Sequence, residues 1–525
     1  MKRFNVTGLC VPRKHYMADI SGKIAKIKAL IDMECYFTIN RARQYGKTTT
    51  IAALERELKE EYIVVSISFE GLGDESFASS EAFCNVLIKH IVKSLRFTSA
   101  TDEYIDKWAG GDVSNFDLLS DHITAMCKSK KVVLMIDEVD KTSNNRVFLH
   151  FLSMLRNKFL ARENDRDYTF HSVILAGVYD IKNIKLKMTE EGLYKPSETE
   201  NKVYNSPWNI AVDFEVDMSF NPSEIAAMLG NYESDHNIKM DIAAISEEIY
   251  SYTSGYPFLV SRICKHIDEK LNMDWTAEGV QKAVDIILHE SNTLFDDVFK
   301  NLENNKELHD LIYGLLVVGE TRDLVIDNPV INTGFMYGFL KKKENGMRTI
   351  TIANKIFEIR MLNYFISKNF GTKNQIARSV LQRDIVRDGV FDMELCLCKF
   401  AEHYAEIFSD ADVEFLERHG RLLFLSYLKP LINGQGFYHI ESQFTDLRRM
   451  DVVVDFGRQQ FIIELKLWRG EQYRAEAYAQ LCGYLETKRV DTGYLLSFDF
   501  RKESNKVRKT EWIETGGKRI FDVMV

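Results

Sequence analysis

YFTINRARQYGKTTTIAAL, residues 36–54, runs an apolar strand (Tyr36 to Ile39) into a loop ending Gly46-Lys47-Thr48, and that loop into a segment rich in Ala, Leu and Glu. Strand, loop and helix in this order are the context a phosphate-binding loop requires, because backbone N–H groups at the helix start then face the phosphates. Lys47 would reach the β and γ oxygens of ATP, and the Thr48 hydroxyl could ligate Mg²⁺. The candidate nucleotide-binding residues are Arg43, Gln44, Tyr45, Gly46, Lys47, Thr48 and Thr49. One position departs from the pattern G-x-x-x-x-G-K-[ST]: Arg41 stands where the first glycine is expected.

Further along, KVVLMIDEVDK (131–141) carries five apolar residues into Asp137 and Glu138. A run of this kind fits a buried parallel strand that delivers both carboxylates at its C-terminal edge, where open α/β sheets bind ligands. SVILAGVYD (Ser172 to Asp180) reads as another strand, and YIVVSISFEG ends in Glu70 and Gly71 at the same edge. Strands and helices alternate from about residue 15 to 215, the pattern of a doubly wound parallel sheet. From NPSEIAAML to about residue 290 the pattern is helical, with Asn221 and Pro222 as cap and first-turn residue.

A second chemistry lies in RRMDVVVDFGRQQFIIELKLW (448–468), where Asp451 is followed thirteen residues later by Glu464, Leu465 and Lys466. Alternation puts Glu464 and Lys466 on one face of a strand, and a hairpin through Gly457 brings Asp451 alongside. Asp451 and Glu464 could hold Mg²⁺ or Mn²⁺. The Lys466 ammonium could orient a water or stabilise charge on a phosphate, which points to phosphodiester hydrolysis.

These residues resemble two known groups. The C-terminal run, over roughly residues 410 to 500, is similar to the PD-(D/E)xK nuclease superfamily, in the form found at the end of bacterial AAA-ATPase-like proteins. The resemblance implies DNA as substrate class and catalytic roles for Asp451, Glu464 and Lys466. It adds Glu417 on a preceding helix, Glu441 on the strand before Asp451, and Gln480 and Tyr484 on the following helix. The N-terminal part resembles AAA-like and archaeal-type, STAND-related P-loop ATPases, in which Arg at position 41 is normal. That resemblance implies that Asp137 holds Mg²⁺ through water and that Glu138 polarises the attacking water. It likens SVILAGVYD to a sensor strand without an obvious polar sensor, SGYPFLV (Ser254 to Val260) to a G-x-P turn opening a lid helix, and Lys14 to Ile27 to a segment near the adenine. Arg156 and Arg162 are the candidates for an arginine finger.

Residues 305 to 370 read as helix (Leu308 to Val318), turn, second helix (Thr333 to Lys342) and a wing through RTITIAN, a winged-helix pattern whose second helix would present Lys341, Lys342 and Lys343. The expected organisation is an α/β AAA-like P-loop core with a parallel sheet (1–215), a helical lid (216–300), a winged-helix-like segment (301–370), a helical linker (371–405) and a restriction-endonuclease-like α/β domain (406–525). Composition agrees with several ordinary globular domains: 525 residues, 45% hydrophobic, 28% charged and seven prolines. A net charge of −9 excludes a generally basic coat, so nucleic-acid contact must be local. Eight scattered cysteines show no C-x-x-C pair, and no stretch approaches a signal peptide or a membrane span, so a cytoplasmic protein is expected. The leading expectation is a nucleotide-controlled, Mg²⁺-dependent nuclease acting on DNA, with homo-oligomerisation left open. The rival is a STAND-like switch or scaffold whose nuclease fold only binds.

Overall fold

The computed structural model describes residues 2–111, 113–139, 145–178, 208–318, 320–325, 327–343, 348–370, 385–387, 389–407, 423–429, 431–432, 436–442, 450–468, 470–499 and 509–525. The chain forms two compact units. The first comprises Met1–Tyr250, Gly255–Lys265 and Met336–Gly338; the second comprises Ser251–Ser254, His266–Phe335 and Phe339–Val525.

In the first unit, β1 (Phe37–Asn40), β2 (Ile63–Ser68), β3 (Val132–Asp137) and β4 (Ser172–Gly177) make a parallel sheet in the order β1-β4-β3-β2. β3 and β4 are buried along their whole length, which is why their sequences are unbroken apolar runs. Val132, Leu134 and Ile136 join a core with Phe83, Leu87 and Phe151. Val133 and Met135 join a separate core with Ile27, Ile51 and Leu54. Period-2 alternation thus supplies a two-faced hydrophobic layer with helices on both sides.

The helix Pro222–His236 opens as its sequence requires. The Asn221 side chain accepts from the backbone N–H of Glu224 at 2.9 Å, and the Glu224 carboxylate accepts from the N–H of Asn221 at 2.9 Å. Lys23, on the helix Ser21–Asp32, donates to the same Glu224 carboxylate at 2.5 Å. Asn221→Ala removes one half of this capping box and is expected to cost about 1 kcal/mol, read as a lower midpoint in thermal or urea unfolding.

In the second unit, β9 (Gly436–Ser442), β10 (Met450–Phe456), β11 (Gln459–Leu467), β12 (Thr492–Phe498), β13 (Lys509–Thr515) and β14 (Lys518–Met524) form a mixed sheet in the order β13-β14-β12-β11-β10-β9. β9, β10 and β11 pair antiparallel, β11, β12 and β14 pair parallel, and β13 returns antiparallel along β14. The helix Glu471–Lys488 covers one face, where Ala477, Leu481 and Leu485 join Val453, Ile462, Leu495 and Ile520 in a core. Phe400 and Tyr404, on the helix Met393–Ile407, set their rings 6.3 and 5.7 Å from that of Phe498.

Two expectations are corrected here. Of the helical linker expected over 371–405, residues 371–384 and 388 lie outside the described residues; Val386–Arg387 and Val390–Phe391 pair as strands β7 and β8, and the helix Met393–Ile407 packs on the nuclease-like sheet. A helix over Thr333–Lys342 is likewise not formed: it runs Pro329–Met336, after which Gly338 takes a left-handed φ of 70° and Leu340–Lys342 become β5, paired with β6 (Ile350–Ile352). Lys341 and Lys342 therefore stand on a strand, and the Lys341 ammonium donates to Ser254 Oγ at 2.9 Å. The left-handed turn at Gly338 ends the helical path, and Leu340 then buries opposite Ile352 at the start of a short strand whose lysines are the less buried positions.

Candidate functional site

At the C-terminal edge of the parallel sheet, the loop Arg41–Gly46 turns into the helix Lys47–Leu58. Gly46 caps that helix with φ 82°, a left-handed conformation that glycine adopts without steric cost. Gln44 is left-handed as well, with φ 57°. Lys47 is buried, and its ammonium donates to the carbonyls of Arg41 at 2.8 Å and Ala42 at 3.0 Å, so the lysine closes over the loop that carries it. The Thr48 hydroxyl donates to Asp137 Oδ2 at 2.7 Å. The other Asp137 oxygen accepts from the N–H of Glu138 at 2.9 Å, and Glu138 itself holds φ 57°. A left-handed non-glycine residue at a strand end is a strained arrangement typical of functional edges. The Thr48 hydroxyl and the Asp137 carboxylate thus meet, and a hydroxyl beside a carboxylate is a suitable oxygen donor pair for Mg²⁺ on a nucleotide.

Arg41 has a structural occupation. Its guanidinium donates to the carbonyls of Asn40 and Val216, each at 2.8 Å, and lies 5.2 Å from the Phe214 ring. Burial lowers its pKa from the ordinary arginine value. Arg41→Gly, which would restore the consensus glycine, is therefore expected to destabilise the first unit by on the order of 2 kcal/mol through lost charged hydrogen bonds and added chain entropy. Thermal unfolding checks this; an unchanged or higher midpoint would refute it.

Two contacts at the loop were not anticipated. Tyr256, in the G-x-P turn, donates its hydroxyl to the carbonyl of Arg43 at 2.5 Å and meets the Tyr45 ring edge-on at 4.7 Å. The Cys10 N–H donates to Thr49 Oγ1 at 3.2 Å. Burial pushes the Tyr45 phenol up to about 12. Of the finger candidates, Arg162 is held by the carbonyls of Phe170, His171 and Glu34, each at 3.0 Å, at the N-terminal end of β1 and β4 and away from the loop. Arg156 Nε is buried on the helix Arg146–Arg162 without a hydrogen-bond partner among the described residues. Tyr16, in the N-terminal segment, packs on Phe4 and Tyr232 at 5.0 and 5.2 Å.

In the mixed sheet, β10 and β11 place Asp451 directly opposite Glu464, with Gly457 in the turn at φ 56°. β9 places Glu441 opposite Asp451 on its other side. Glu464 is 1% exposed and Lys466 9% exposed, and their charged groups meet at 2.6 Å. The Lys466 ammonium also donates to Gln480 Oε1 at 3.4 Å. Tyr484 lies on the same helix beside the apolar core, and Lys488 approaches its ring at 5.6 Å. Glu417 lies outside the described residues. A carboxylate row with one buried ammonium suits a hard, oxygen-seeking dication and disfavours softer metals.

The family model described as an AAA-like domain matches residues 13–328. The chain belongs to this AAA-like family. A second family model, the PD-(D/E)XK nuclease superfamily, matches residues 437–510, so the AAA-like part is followed by a nuclease-superfamily domain. No curated protein matches the chain. Among solved structures, it is similar to the Walker-type ATPase PABY2304 of Pyrococcus abyssi at 13% identity and a TM-score of 0.44, covering 68% of this chain and 99% of that one. It is also similar to the ORC2 protein of Aeropyrum pernix in its ADPNP–ADP complexes, at 10% identity and a TM-score of 0.37, covering 66% and 95%.

Proposed function

We propose that this AAA-like protein is an ATP-binding and ATP-hydrolysing enzyme whose PD-(D/E)XK domain cleaves DNA with Mg²⁺, under control of the nucleotide. The observation that carries the reading is the buried Glu464–Lys466 pair at 2.6 Å, set by strand register beside Asp451. A buried ammonium is costly unless it is paired, as Lys466 is with Glu464, and a low-dielectric wall strengthens its action on a phosphate.

In this mechanism Asp451 and Glu464 would hold the cation, with Glu441 next in the row of strand positions. Mg²⁺ or Mn²⁺ there would polarise the scissile phosphate and lower the pKa of a bound water. Lys466, fixed between Glu464 and Gln480, orients that water and stabilises charge on the phosphate. At the nucleotide site Lys47 would bind the β and γ phosphates, Thr48 and Asp137 would hold Mg²⁺, and Glu138 would orient the attacking water. Residues 301–370 supply a winged-helix-like element whose lysines on β5, rather than on its second helix, would meet nucleic acid.

The test is cleavage of linear duplex, single-stranded and circular DNA by the whole protein with Mg²⁺ or Mn²⁺. Cleavage is expected to disappear on adding EDTA and to return with excess Mg²⁺. Cleavage that persists in EDTA would remove the metal from the account. Nucleic-acid binding without cleavage on any substrate would favour a nucleotide-dependent scaffold instead.

A further inference from the structure

The mixed sheet brings one residue from each strand into a single transverse row: Glu441, Asp451, Glu464, Leu495, Asp522 and Glu511. Leu495 alone is apolar, and it divides the row into two charged groups. One is the candidate metal site with Lys466. The other is organised by Arg474, on the helix Glu471–Lys488. Its Nε donates to Asp522 Oδ2 at 2.7 Å, and its Nη2 lies 2.6 Å from the same oxygen and 2.9 Å from Glu511 Oε1. The Tyr478 hydroxyl donates to that Asp522 oxygen too. Arg474 is 7% exposed and Asp522 0%. Two residues beyond Tyr478, the same helix carries Gln480, the partner of Lys466.

We propose that Arg474 is a positioning residue for the cleavage site: its ion pair with Asp522 fixes the helix along the row, so that Gln480 holds the Lys466 ammonium against Glu464. The inference rests on the nuclease reading and deepens it. Beside these polar contacts the helix packs on the sheet through apolar side chains such as Ala477 and Leu481. Hydrophobic burial is non-directional and leaves sliding of the helix weakly opposed. A guanidinium fork on carboxylates has a fixed geometry and opposes it strongly. A buried ion pair seldom adds net stability over apolar side chains in the same place, so its contribution here is to register. Register matters because a displacement of about 1 Å at a catalytic group can cost on the order of 10²-fold in rate.

The experiment replaces the whole cluster with apolar groups, Arg474→Met with Asp522→Leu and Tyr478→Phe, so that no charge is left buried and unpaired. Two readouts are taken on the full-length protein: acylation of Lys466 by acetic anhydride, scored by peptide mass spectrometry against the exposed Lys26, and cleavage kinetics with Mg²⁺. The variant is expected to keep its melting temperature while Lys466 acylation rises severalfold. Its kcat should fall on the order of 10- to 10²-fold with KM within about twofold. Arg474→Lys, which keeps the charge without the fork, should fall between. Unchanged Lys466 acylation in a folded variant would overturn the proposal, as would unchanged kcat. If the wild type cleaves nothing, the nuclease reading fails and acylation alone decides whether Arg474 positions Lys466.

Discussion

Lys466→Ala is expected to lower metal-dependent cleavage by on the order of 10²–10³-fold, the loss typical of removing one preorganised electrostatic group from a transition state. ATP hydrolysis should stay near wild type, because the loop around Lys47 and the Lys466 site lie in different compact units. The substitution has a second effect that the burial makes measurable. Glu464 is 1% exposed, and without the ammonium at 2.6 Å its carboxylate is left in a low-dielectric place. Breaking a buried pair in this way costs about 3–5 kcal/mol. A divalent cation at Asp451 and Glu464 would offset part of that cost. The melting temperature of Lys466→Ala should therefore rise more steeply with Mg²⁺ than that of the wild type. A variant with lost cleavage but no enhanced Mg²⁺ dependence would separate Lys466 from the metal site.

Lys47→Ala is expected to abolish detectable nucleotide turnover and weaken ATP binding by on the order of 10²-fold, since each charged contact to phosphate contributes about 1.5–3 kcal/mol. Lys47 is buried and its ammonium bridges the carbonyls of Arg41 and Ala42, so the variant also loosens the loop. Isothermal calorimetry with ATP and a phosphate-release assay read the two consequences separately. Retained affinity with lost turnover would place Lys47 in catalysis rather than binding.

Much of this was written locally in the chain. The parallel strands were legible because burial on both faces demands unbroken apolar runs, as in Val132–Asp137, and Gly46-Lys47-Thr48 follows its strand at fixed spacing. The pairing of Asp451 with Glu464 was legible for a similar reason, because a tight turn through Gly457 and a period of two leave one register. What was not legible depends on distant partners. Arg474 and Asp522 are 48 positions apart, and Tyr256 and Arg43 are 213 apart, with nothing near any of them to announce the contact. The lysines at 341 and 342 suited a helix as well as a strand. The left-handed turn at Gly338 and the pairing with Ile350–Ile352 decided between them. Met393–Ile407 fell largely within the expected linker because its polar and apolar residues fit any amphipathic helix, and only the distant rings of Phe424, Tyr427 and Phe498 show what its aromatic side covers.

Nucleotide at one unit is proposed to govern cleavage by the other. The most direct measurement is the rate of duplex DNA cleavage with Mg²⁺, with and without ATP, by the wild type and by Lys47→Ala. ATP is expected to change the wild-type rate and to leave the Lys47→Ala rate unmoved. An ATP effect of equal size in both proteins, or no cleavage by the wild type under any nucleotide condition, would contradict it.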